Sequence, residues 1–83
     1  MSDDLIARRM SATDLALDLV RAEVGRAVAR YPMFHSAHEG FAVLLEEVDE
    51  LWDEIRANNR ERAHAEAVQV AAMAIRFLTD LRG

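Results

Sequence analysis

The chain has 83 residues and a net charge of −5, and 52% of its residues are hydrophobic although only five are aromatic. That length allows one domain, residues 1–83, and the negative balance argues against a nucleic acid polymer or an acidic membrane surface as partner. The absence of cysteine excludes disulfides, thiolate metal sites and thiol nucleophiles.

The opening Met1-Ser2-Asp3-Asp4 is acidic where a secretory signal is basic. The longest apolar run, Val70 to Ile75, is too short to cross a bilayer, so a cytoplasmic protein is expected. Apolar residues recur at helical three-and-four spacing throughout, which predicts an all-α chain. A first helix is expected over about 11–30, with Ser11 or Thr13 as its cap and with Met10, Leu17, Val24 and Tyr31 recurring on one side. Leu15, Leu19 and Ala22 form a second apolar strip on it. Residues 1–10 either extend this helix or form a frayed arm.

Pro32 ends the first helix, because the residue before a proline is pushed out of the α region. Ser36 and Glu39 form a capping box, so a second helix should run from Ala37 to about Ala57, where Asn58-Asn59 supplies a turn. The third helix is expected from about Arg60 to Leu81. Val70, Ala74, Phe77 and Leu81 share one face and Val68, Ala71, Ile75 and Leu78 widen it, leaving Arg62, Glu66, Gln69, Arg76 and Asp80 as the polar side. A helix apolar over so much of its circumference requires neighbours on two sides. With more apolar surface than one small core can cover, the chain is expected to be a homo-oligomer.

The chemistry concentrates in the second helix. Residues 46–54 hold six of the fifteen acids, and Glu47, Glu50 and Glu54 fall within roughly 60° of one another, with Glu46 about 40° behind Glu50. Phe41, Leu44, Leu45, Val48, Leu51, Trp52 and Ile55 form the apolar stripe of the same helix, and Glu47 lies at its edge. Such a cluster is self-repelling unless a cation offsets it, and Arg56 and Arg60 are the only nearby bases in sequence. A divalent metal does so most effectively; the alternative is an ordinary solvated acidic face. Downstream, Glu66 and Gln69 share a face of the third helix.

This order of motifs, Glu46-Glu47-x-x-Glu50 and then Glu66-x-x-Gln69, resembles the MazG-like members of the all-α nucleoside triphosphate pyrophosphohydrolases over about residues 34–81. The resemblance implies three helices that pair with a second copy in a four-helix-bundle dimer or tetramer. It also implies Mg²⁺ or Mn²⁺ on Glu47, Glu50, Glu66 and Gln69, with Glu46 orienting or deprotonating water, and hydrolysis of NTP or dNTP to monophosphate and pyrophosphate. Gln69 stands where the family has aspartate, and its neutral amide is the weaker ligand. The alternative function is a non-enzymatic helical relative that binds nucleotides or another protein.

Arg76, on the expected polar side of the third helix, is assigned to phosphate contact, with Arg60 and Arg62 behind it; each can equally be a plain surface arginine. His35, His38 and His64 are expected to be solvent-facing rather than transition-metal ligands, and Gly40 to permit close helix approach.

Overall fold

A computed structural model describes residues 2–82 as three helices, α1 (Asp3–Arg30), α2 (Ala37–Arg56) and α3 (Arg60–Asp80). Among the described residues there is no strand, and no helix is long and apolar enough to cross a membrane.

α1 starts eight residues before the expected Ser11. Ser2 is the cap, its hydroxyl accepting the Leu5 amide, and Asp3 and Asp4 place negative charge on the first turn, where the helix dipole favours it. Thr13 lies mid-helix and donates to the Arg9 carbonyl at 3.0 Å. The segment before Ser11 therefore extends the helix, because it carries its own cap. At the other end Tyr31, preceding Pro32, is extended. Ser36 caps α2 by accepting the Glu39 amide at 3.1 Å; the returning bond runs from the His35 amide to Glu39 Oε1 at 3.2 Å, one residue short of a capping box. Asn58 turns the chain at φ 57°, and Asn59 caps α3.

α3 is the central element, packed against α1 on one side and α2 on the other, while α1 and α2 make no close backbone approach to each other. α1 runs alongside α3 in the same direction and α2 runs opposite to both, with Gly40 against Phe77. Two-sided packing of α3 is what its wide apolar surface predicts. The sides themselves are not as expected. Ala72, Met73 and Arg76 are its buried residues, and Glu66, Gln69 and Asp80 are half-buried, so the polar side faces inward and only Arg62 of that strip is exposed. Leu78 is 71% exposed.

The link between α1 and α2 explains this rotation. The Pro32 carbonyl accepts from Arg76 Nη2 at 3.0 Å, and the Phe34 amide donates to Asp80 Oδ2 at 3.3 Å. Both bonds tie the link across the polar strip and place the flanking helices on either side of it.

The core is correspondingly small: Ala27, Phe34, Ala72 and Met73, with Val20, Val24, Val43, Leu44 and Leu81 against it. Phe41, Leu45, Val48, Trp52 and Ile55 are all exposed. The surface of 6556 Å² compares with about 5,000 Å² for a compact monomer of this mass. The radius of gyration of 14.8 Å likewise exceeds the about 12 Å of a compact fold this long.

Candidate metal centre

α2 and α3 bring Glu47, Glu50 and Glu66 together: one oxygen from each lies within 4.8 Å of the others. The juxtaposition follows from the fold. Glu47 sits on the side of α2 turned to α3, next to the half-buried Leu44 and Leu51, and Glu66 sits on the inward strip of α3. Glu50, one turn from Glu47, stays exposed at the mouth.

The electrostatics are those of an incomplete site. Glu66 Oε2 and, beside it, Glu54 Oε2 are inaccessible and have no hydrogen-bond partner. Among the described residues, arginines near the site pair with other acids: Arg56 binds Asp53 at 2.6 Å, Arg26 binds Glu23, and Arg76 lies beside Asp80. Burial, followed by the charge of Glu50 and hydrogen bonding to it, pushes the Glu47 carboxyl from 4.5 up to about 7. The Glu66 carboxyl is raised by the same causes in the same order, burial first and Glu50 next. Three oxygen donors with no thiol or imidazole among them suit a hard divalent cation, and the orphaned oxygen of Glu66 supplies a donor that nothing in the chain uses.

Next to the cluster lies a cleft of about 540 Å³, into which α1, the interhelix link, α2 and α3 all contribute. Glu46 and Glu47 line one wall and Gln69 another. Gln69 is therefore half-buried one turn along from Glu66, on the cleft side of the acid cluster. Glu46 is exposed on the rim, within the reach of a molecule held in the cleft.

The arginines separate. Arg76 is 4% exposed and so is not on a solvent-facing polar side. Its guanidinium lies 4.3 Å from the Phe34 ring centroid; Nη2 donates to the Pro32 carbonyl and Nη1 to Met73 Sδ, while Nε has no partner, so one donor holds the link and the side chain forms part of the cleft wall. Arg60 and Arg62 are exposed at the start of α3, where Arg60 shares a smaller cavity with Glu54 at the α2–α3 turn. His35, His38 and His64 are exposed, and a Cβ on Gly40 would lie 2.8 Å from the Phe77 ring, the close approach expected of it.

Sequence reasoning missed Glu23, a buried acid on α1 that faces the same cleft. A signal was present: Glu23 falls between Val20, Val24 and Ala27, the residues by which α1 packs, so its helical position is a core position. Comparison of the chain with protein-family models, curated proteins and solved structures gives no match.

Proposed function

We propose that the protein is a divalent-cation-dependent nucleoside triphosphate pyrophosphohydrolase that converts NTP or dNTP and water to the monophosphate and pyrophosphate. The observation that carries this reading is the meeting of Glu47, Glu50 and Glu66 beside a cleft large enough for a nucleotide. The motif order of the sequence adds to it. In this reading Glu47, Glu50 and Glu66 hold Mg²⁺ or Mn²⁺, with the Gln69 oxygen as a weaker fourth donor. The cation, when bound, offsets the charge of the triphosphate oxygens and favours attack at phosphorus.

The remaining work belongs to the chain. Glu46, on the rim, accepts a proton from the attacking water, which needs no covalent intermediate. Arg60 and Arg62, exposed at the start of α3 beyond the acid cluster, are the cations available to the outgoing pyrophosphate, and Arg76 fixes the cleft wall through the interhelix link.

The working form in this reading is a homo-oligomer with a four-helix-bundle core. Phe41, Leu45, Val48, Trp52 and Ile55 follow one another at alternating four- and three-residue steps, the spacing of a helix–helix seam, and all are exposed. The excess surface, about 1,500 Å² per chain, amounts to about 3,000 Å² for a pair, which is the size of an obligate interface.

A second reading, a nucleotide-binding protein without turnover, is favoured by Gln69, whose neutral amide weakens the site. Pyrophosphate release across a panel of ribo- and deoxynucleoside triphosphates with Mg²⁺ or Mn²⁺ decides. Release that is lost in Glu47→Gln supports the hydrolase; no release from any nucleotide, with Mn²⁺ still bound, sinks it in favour of the binding protein.

A further inference from the structure

We propose that Trp52 of one copy docks in an apolar groove between α2 and α3 of a second copy, across an antiparallel two-fold pairing of their α2 helices. This rests on the homo-oligomer of the reading above and gives it a direction and a register; it does not depend on hydrolysis.

The groove lies at the N-terminal end of α2. Phe41 and Leu44 form one wall and Ala74, Phe77 and Leu78 of α3 the other, around about 610 Å³, and His38 is the one polar side chain lining it among the described residues. Trp52 lies further along the same helix, 55% exposed, with the Arg56 guanidinium 6.0 Å from its ring centroid. A large exposed aromatic side chain and an apolar groove wide enough to hold it are the paired features from which the centre of an interface is built.

The spacing selects a second copy as the occupant. With His38 included, the α2 row reads His38, Phe41, Leu45, Val48, Trp52 and Ile55, at alternating three- and four-residue steps. Such a row has two kinds of position, and in an antiparallel pair each kind faces the other. Turned about a two-fold axis between residues 46 and 47, the row matches itself: His38 meets the partner's Ile55, Phe41 meets the partner's Trp52 and Leu45 meets the partner's Val48. The partner's Trp52 is thereby set beside Phe41, over the groove whose far wall α3 supplies, and the symmetry repeats the contact on the other side. The excess surface of about 1,500 Å² per chain is enough to include both row and groove.

Charge favours this direction over the parallel one. Residues 48–56 hold four acids and one arginine, whereas residues 37–45 hold a single acid, Glu39. Antiparallel pairing sets the acidic half of each α2 against the nearly uncharged half of the other, and parallel pairing would lay the two acidic halves together.

The chain has no cysteine, so introduced thiols can read the register. His38→Cys and Ile55→Cys are made singly and together in the full chain and mildly oxidised. Positions 38 and 55 are about 25 Å apart along one helix, too far to bridge within a chain. The expected result is a covalent dimer from the double variant and none from either single variant. Cross-linking of the single variants, the outcome for a parallel pair, overturns the inference and leaves the assembly standing, as does a wild-type dimer whose double variant fails to cross-link. Trp52 is the single tryptophan, so its emission reports the docking itself. It should lie at shorter wavelength in the dimer than in protein diluted to monomer. Leu78→Glu, which changes an exposed residue on the α3 wall and none of the α2 row, should weaken the dimer about tenfold or more by placing a charge in the groove. A dimer of unchanged strength in Leu78→Glu overturns the docking. A wild-type monomer in sedimentation removes both docking and assembly, and leaves the hydrolase to the pyrophosphate assay.

Discussion

The inner cleft and the outer surface of α2 invert the usual distribution of polarity. Inside, between α3 and its flanking helices, lie Glu23, Glu47, Glu54, Glu66, Gln69 and Arg76, all buried or half-buried. Outside, Phe41, Leu45, Val48, Trp52 and Ile55 stand in a row on solvent. Each arrangement costs free energy alone, since buried carboxylates lose hydration and exposed apolar rows keep theirs. In the proposed reading a cation offsets the first cost and a second copy of the chain offsets the other.

The outer half of this contrast is the easiest to break, with the largest expected effect. Val48→Glu places a charge in the middle of the seam. If the seam is covered by a second copy, the wild type should sediment at twice 9.4 kDa or more, and the variant should dissociate and lose about 3 kcal/mol or more of stability. A wild-type monomer whose melting point is indifferent to Val48→Glu would make the row an ordinary surface.

The inner half is tested by metal. Mg²⁺ or Mn²⁺ at about 100 times its Kd should add about 2.7 kcal/mol to the stability of the native state, and Glu47→Gln or Glu50→Gln should remove the gain. The same substitutions remove a charge from a repelling group, so each should melt higher than the wild type when metal is absent. A metal-free variant that melts lower would mean that the carboxylates are held by the protein rather than waiting for a cation. Differential scanning calorimetry with and without Mn²⁺ reads both effects.

The pH dependence sharpens the same contrast with a smaller effect. Glu47 is raised from 4.5 to about 7 by burial and by Glu50, and Glu66 is raised likewise, so the fold favours their protonated forms. The stability this contributes is full below about 4.5, the unfolded value, and is lost as pH rises through about 7. Metal-free protein should therefore destabilise across that window, and Glu47→Gln should flatten the profile. Mn²⁺ affinity should move oppositely, rising with pH as the ligands ionise. A metal-free melting point independent of pH between 5 and 8, on the order of the window cited, would contradict the crowding of the three acids.

The three helices were legible in the sequence because caps and breakers act locally: Ser36, Pro32 and Asn58-Asn59 each mark a boundary within a residue or so. The start of α1 was not, since Ser11 and Thr13 offered cap chemistry as good as that of Ser2 and only an uninterrupted helix decides between them. Helical spacing put Glu47 and Glu50 together; that Glu66 joins them was an expectation carried by the family resemblance, and the three do lie together. The direction in which α3 turns was not legible. Its polar strip looks solvent-facing by periodicity, and what turns it inward is the pair of bonds from Arg76 and Asp80 to the interhelix link, contacts between residues more than forty positions apart. Arg76 and Glu23 were misread or missed for that one reason: a charged residue can be placed in a core only when its partners are known.

The smallest expected effects come from two glycines, one on the inner side of α2 and one on the exposed side of α1. Gly40, on the inner side of α2, would as alanine put its Cβ 2.8 Å from Phe77 Cδ2 and 3.2 Å from Phe34 Cδ2. Phe34 is buried against the cleft and cannot yield without moving its wall, whereas Phe77 borders an open groove with Phe41 and Leu78 and can give part of the way. Overpacking of this kind costs about 1–3 kcal/mol, against which alanine recovers about 1 kcal/mol of helix propensity. Gly40→Ala should thus lose up to about 2 kcal/mol in a denaturant melt. Gly25, on α1, would as alanine have nothing within 4 Å. Only the propensity gain remains, so Gly25→Ala should stabilise the chain by about 0.5–1 kcal/mol. The pair also probes the outer surface, because a loss at Gly25 would mean that a second copy approaches α1 closely at that point, and would carry the assembly beyond the α2 seam.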